Sequence, residues 1–292
     1  MLTLHEPQPE LARALGLPTE TPLFFKREDL HPYGSHKGRS IPLMINEKIK
    51  GGCRHFAISS SGNAALAAGL YIKELNEKGE KITLEILAGK SINPHKLKKL
   101  EALKDEYILL SLQDRPLQAL FMKTLDPNIQ SLRQSDNDTA LVGYKSLAEE
   151  LAQIPDLKAV FIGTSSGTTA QALAESLTGV EVHIVQTSSC HPIADAFVDN
   201  DIHDEKSIAD AIVDQTALRK ETLVPLIKKS GGNGWIVSNE EIKAAMDIVK
   251  KNTGKDPLSI SPNSALSVAG LMQAIYTSKS WGGAVVCMIC GD

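Results

Sequence analysis

A chain of 292 residues, 42% of them hydrophobic, has enough apolar material for a large core, and chains of this length commonly divide into two domains. Its formal net charge of -4 gives no electrostatic reason to expect nucleic acid or an anionic membrane as a partner. No apolar run is long enough to span a bilayer, and the first residues mix Glu6, Glu10, Pro7 and Pro9 with apolar ones, unlike a signal peptide. A cytoplasmic protein is expected.

Strand-like and helix-like segments alternate along the chain. Short apolar runs predict strands over 23–25, 55–59, 82–87, 107–112, 158–162, 180–186 and 284–289. Helical patterns fall over 64–75, 145–152, 169–177, 240–250 and 263–275. In the first of these helices Ala64, Ala67, Ala68 and Tyr71 share one face, and Ser238-Asn239-Glu240-Glu241 reads as an N-terminal cap. Lys96, Lys98 and Lys99 read as the solvated face of an amphipathic helix. Such alternation predicts an α/β fold: open, twisted, mostly parallel sheets covered by helices. A seam is expected near Gly143, after the polar stretch 134–139.

The first stretch with chemical content is Gly34-Ser35-His36-Lys37-Gly38. A lysine that condenses with an aldehyde must lose its proton, leave bulk water and admit a bulky partner, and small neighbours allow this. Lys37 suits that task; by itself it equally suits an ordinary charged residue at a helix entrance.

Two strand-to-helix loops follow. Ser59-Ser60-Ser61-Gly62-Asn63-Ala64 offers hydroxyls, an amide and the free N–H groups of a helix start, all suited to a small anion, with Asn63 as a candidate cap. Gly163-Thr164-Ser165-Ser166-Gly167-Thr168-Thr169 concentrates hydroxyls between two glycines, as a phosphate cradle would. No Lys follows its last glycine, so it is not a nucleotide triphosphatase loop. Taken alone, either loop also suits a plain turn. One lysine among small residues, one site for a carboxylate and one for a phosphate together describe a pyridoxal phosphate enzyme.

Four cysteines in a chain of this size do not suggest a disulfide framework, and the Cys287/Cys290 pair lacks the further ligands a zinc site needs; no metal is expected.

The segment around Lys37, the Ser60-Ser61-Gly62-Asn63 loop and the hydroxyl-rich loop resemble, in the same order, the three motifs of the fold-type II pyridoxal phosphate enzymes. This family includes threonine synthase, cysteine synthase, threonine dehydratase and the tryptophan synthase β subunit. The resemblance implies two α/β domains with the cofactor in a cleft between them: residues 1–43 with 144–292 as the larger, and 44–143 as the substrate-carboxylate domain. It implies Lys37 as the residue joined to pyridoxal 5'-phosphate, and Ser60, Ser61, Gly62, Asn63 and Ala64 at the substrate carboxylate. Asn63 would also touch the cofactor, Ser165, Ser166, Gly167, Thr168 and Thr169 would hold its phosphate, and Cys290 would face its ring nitrogen, with Asp292 a competitor for that place.

Gly143-Tyr144-Lys145-Ser146, Ser230-Gly231-Gly232 and Ser264-Ala265-Leu266-Ser267 look most like threonine synthase. That likeness implies an amino-acid lyase or synthase that expels a β or γ leaving group and adds water, commonly as a homodimer. The alternatives are a serine/threonine dehydratase, a cysteine synthase-like replacement enzyme, or a homologue that binds the cofactor without turnover. Where threonine synthases carry an Arg that helps hold the substrate phosphate, and a Glu, this chain has Ala140 and Val142, leaving the substrate open.

Overall fold

The computed structural model describes residues 3–198, 206–253 and 258–291. The chain divides into two compact units, Met1–Leu30 with Tyr144–Asp292, and His31–Gly143. Residues 31–43, grouped by the sequence reading with the larger unit, lie in the second.

The first unit opens with β1 (His5–Pro7), α1 (Pro9–Ala14) and β2 (Leu23–Arg27). The second runs through α2 (Ile41–Lys50), β3 (His55–Ser59), α3 (Asn63–Glu77), β4 (Thr83–Gly89), α4 (Pro94–Glu101), β5 (Ile108–Gln113), α5 (Pro116–Lys123) and β6 (Ile129–Ser131). The boundary at Gly143 falls within α6 (Thr139–Leu151). The first unit then resumes with β7 (Leu157–Gly163), α7 (Thr168–Ser176), β8 (Glu181–Thr187), α8 (Lys220–Ser230), β9 (Gly234–Val237), α9 (Asn239–Asn252), α10 (Pro262–Tyr276) and β10 (Ala284–Ile289).

The sheet of the first unit has the order β1-β2-β10-β7-β8-β9, parallel except for β1. All six residues of β10 are buried. A strand covered on both faces has no use for a polar side, and the unbroken run Ala-Val-Val-Cys-Met-Ile reflects that. Pro7 is tolerated because β1 lies at the edge, where a missing N–H costs no ladder bond. The second unit has a wholly parallel sheet, β5-β4-β3-β6, with its own core around Ile41, Phe56, Ile58, Ala68, Ile72 and Ile86.

Helix α3 buries Ala65, Ala67, Ala68 and Ile72, one residue's rotation from the expected face, leaving Ala64 and Tyr71 half-buried. The capping box at Ser238 forms as expected, with Glu241 returning to the Ser238 backbone N–H at 2.7 Å.

Two polar clusters lie inside the first unit. Lys26, wholly buried, donates to the Thr3 carbonyl at 2.9 Å and pairs with Glu150, while Glu28 lies 4.0 Å away. The second centres on His183 at the start of β8. Its Nδ1 accepts from Asn233 N–H at 3.1 Å and Trp235 Nε1 at 3.2 Å, so the proton sits on Nε2 and is donated to Glu181 at 3.0 Å. Burial holds the His183 pKa below its ordinary value. Burial also opposes ionisation of Glu181, but hydrogen bonds from His183, Trp281 and Lys279 outweigh it and hold the carboxyl at about 2.

A carboxyl whose pKa is lowered on folding stabilises the native state above its ordinary value of 4.5, and that contribution is lost as the pH falls through 2. In urea titrations the wild type should therefore lose its advantage over Glu181→Gln across this window. A stability gap that does not change with pH would contradict this account.

Candidate functional site

The Lys37 segment is shaped by close contacts. Gly34 has φ +77°, and a Cβ there would come within 2.8 Å of Leu66 on α3. A Cβ on Gly38 would lie 2.4 Å from the His31 ring and 2.8 Å from Tyr33. Between them, fully buried Ser35 accepts from Lys37 N–H at 3.2 Å and starts a single 3-10 turn, His36–Arg39. The helix expected near Gly38 begins slightly later, as α2 at Ile41. Tyr33 ties the segment to α3 through Glu74 at 2.6 Å; burial and then this carboxylate hold the phenol well above its ordinary pKa. Lys37 is half-buried, and its ammonium has no hydrogen bond or ion pair among the described residues.

The turn containing Lys37 packs on the same helix that the carboxylate loop opens. That loop joins β3 to α3 and is half-buried throughout. Gly62 is the N-cap of α3 and Asn63 the first helical residue, so Asn63 does not cap the helix. This displacement leaves the Asn63 amide available: it and the Ser61 hydroxyl have no hydrogen-bond partner among the described residues. Ser60 accepts from Gly62 N–H at 3.3 Å and retains its own hydrogen to donate. An uncapped helix start with three polar side chains beside it suits a carboxylate.

In the first unit the hydroxyl-rich loop joins β7 to α7. Gly167, at φ +83°, is the N-cap of α7, and no side chain caps this helix. A Cβ on Gly167 would meet Leu223 at 2.6 Å and Ile193 at 3.1 Å; one on Gly163 would meet Leu266 at 2.9 Å. Thr164 accepts from Gly167 N–H at 3.1 Å, and Ser166 and Thr168 share a hydroxyl contact of 3.0 Å. Buried Gln186, a residue the sequence offered only as a strand position, clamps the loop. It donates to the Thr164 and Ser165 carbonyls, both at 3.2 Å, and accepts from Ile193 and Ala194 N–H, both at 2.9 Å.

Cys290 is buried just past the end of β10. The next residue, Gly291 at φ +94°, is held by Ser264, which accepts from its N–H at 3.2 Å, and by Ser261, which donates to its carbonyl at 2.6 Å. Because Gly163 also packs on Leu266, the start of α10 supports both the hydroxyl-rich loop and the Cys290 turn. Asp292 lies outside the described residues.

These residues fit pyridoxal phosphate in kind: an uncapped helix start for the phosphate, another for a carboxylate, and an amine without a partner among the described residues. One feature fits less simply. The Ser165 hydroxyl, 3.1 Å from Asp214 Oδ2, is already engaged with a carboxylate 49 residues away in the chain.

Residues 2–291 match the family model described as pyridoxal-phosphate dependent enzyme. The chain is 26% identical over 317 residues to the threonine synthase of Mycobacterium tuberculosis, covering all of this chain and 82% of that protein. A serine dehydratase-like protein of Homo sapiens is 42% identical over 62 residues, 21% of this chain and 19% of that one. Among solved structures, a pyridoxal 5'-phosphate-dependent aspartate racemase superposes with a TM-score of 0.81 at 20% identity, covering 100% of this chain and 90% of the other, a likeness of fold. The chain belongs to the pyridoxal-phosphate dependent enzyme family, with the fold-type II architecture and pyridoxal 5'-phosphate as its cofactor.

Proposed function

We propose that the protein is an amino-acid lyase or synthase of threonine synthase type, which removes a β or γ leaving group and adds water. The observation that carries this reading is the likeness to threonine synthase over the whole chain. In it Lys37 would hold the cofactor covalently. Ser166, Gly167, Thr168, Thr169 and the backbone of Ser165, at the start of α7, would hold its phosphate. Cys290 would face the ring nitrogen. A thiol there, in place of a carboxylate, would favour elimination over transamination. When bound, the cofactor supplies an electron sink for charge developing at the substrate's α carbon.

The other steps belong to the chain. Ser60, Ser61, Asn63 and the N–H of Ala64, with Gly62 giving the turn its shape, fix the substrate carboxylate and so the direction of its α C–H bond. Lys37 Nζ would remove the α proton as general base and return it after the leaving group departs.

A dehydratase is the second reading, and two observations favour it. The serine dehydratase-like match is stronger residue for residue, though short. Ala140, where threonine synthases carry the phosphate-holding Arg, is fully buried among apolar side chains, a place unsuited to a guanidinium. The protein should therefore be given phosphohomoserine, serine and threonine separately. The leading reading expects inorganic phosphate and threonine from phosphohomoserine; the second expects keto acid and ammonia from serine or threonine. Racemisation without loss of any group would sink both.

A further inference from the structure

Between β8 and α8 the chain runs without regular structure over residues 206–219, apart from turns, yet it is firmly tied. Ile208 N–H donates to Asn239 Oδ1 at 2.8 Å, and Ala211 N–H donates to Asn263 Oδ1 at 3.0 Å. The third tie is Ser165 itself. Its hydroxyl oxygen accepts from Val213 N–H at 3.1 Å and Asp214 N–H at 3.0 Å, and its hydrogen goes to Asp214 Oδ2 at 3.1 Å.

A hydroxyl has one hydrogen and two lone pairs, so Ser165 has nothing left to give a phosphate unless this tie opens. The partner is also an anion, one hydrogen bond from a loop shaped to receive an anion. Its charge is felt nearby: burial, and then Asp214 and Asp195, push the Cys190 thiol above its ordinary value. The helix dipole at α7 attracts the phosphate, while Asp214 opposes a dianion placed beside it.

We propose that Asp214 is a built-in rival anion at the phosphate cradle, which weakens cofactor binding and sets its affinity by holding the Ser165 hydroxyl. Ser165 in this arrangement serves as a latch for residues 213–214. The phosphate is held by the donors of the α7 start. The inference rests on the placement of the phosphate proposed above, and its test separates the two.

Full-length protein freed of cofactor is titrated with pyridoxal 5'-phosphate by fluorescence, with unphosphorylated pyridoxal and inorganic phosphate as further probes. Asp214→Asn should bind pyridoxal phosphate and inorganic phosphate more tightly, on the order of tenfold, and pyridoxal no better. Ser165→Ala should also bind pyridoxal phosphate as well as the wild type or better, because it opens the latch. Asp210→Asn, which alters a carboxylate bonded to Asn263 in the same segment, should leave phosphate binding unchanged. Weaker pyridoxal phosphate binding by Ser165→Ala would make its hydroxyl a phosphate ligand and overturn the inference. So would unchanged affinity in Asp214→Asn, which keeps the side chain's size and does not depend on the latch staying closed. If inorganic phosphate fails to compete with pyridoxal phosphate in the wild type, the cradle itself is misplaced.

Discussion

Lys37→Ala is expected to remove the borohydride-reducible visible absorption of the cofactor-loaded protein and to lower turnover by roughly 10²- to 10⁴-fold, the usual contribution of a positioned general base. The expectation comes from the segment's construction. Gly34 and Gly38 sit where a Cβ would strike Leu66, His31 or Tyr33, and Ser35 fixes the turn through Lys37 N–H. A surface lysine has no need of such a frame. Lys37→Arg is the sharper variant: it keeps the positive charge, but a guanidinium does not lose its proton in proteins, so its loss should match that of alanine. A substitution at exposed Lys90, which pairs with exposed Asp114, should change neither property. Retention of the visible band by Lys37→Ala would move the covalent attachment elsewhere.

The largest effect on stability is expected at Lys26. Lys26→Met keeps the length of the side chain but removes the cation that pairs with buried Glu150 and lies 4.0 Å from buried Glu28. Removing one partner of a buried ion pair costs about 3–5 kcal/mol, because the remaining charge cannot be rehydrated. The urea midpoint should fall accordingly. Lys26→Met combined with Glu150→Leu should regain part of the loss, since an apolar pair of similar volume carries no desolvation penalty. A change of less than about 0.5 kcal/mol in the single variant, the size typical of a surface substitution, would show that water reaches the cluster.

The parts of the fold legible in the sequence are those set by local pattern. The strands at His55–Ser59 and Ala284–Ile289 fall where their apolar runs predict, because buried parallel strands announce themselves by lacking a polar face. Strands β1, β6 and β9 escape notice. Each has three or four residues and becomes a strand only through a neighbour: Glu6 opposite Phe25, Gln130 opposite Phe56, Trp235 opposite Val185. Helix α8 is hidden by its internal Pro225, and α1 and α5 are short with a proline at their start.

The same division holds for the site. Lys37 and the two loops are visible as composition, since small residues, hydroxyls and helix starts lie within a few positions of one another. Their supports are not. Ser165 and Asp214 are 49 residues apart, Lys26 and Glu150 are 124 apart, and nothing in either local sequence names the other. Ala140 and Val142 were legible as departures from threonine synthase, but only burial separates them: Ala140 is enclosed, whereas Val142 is 50% exposed.

Residues 31–143 form one uninterrupted stretch within the other unit's sequence, and its last residue returns close to its beginning: a Cβ on Gly143 would lie 2.5 Å from the Cα of Ser40. An insert whose ends already meet asks little loop-closure entropy of the chain that carries it. Insertions and deletions between those ends leave the threading of the surrounding strands untouched.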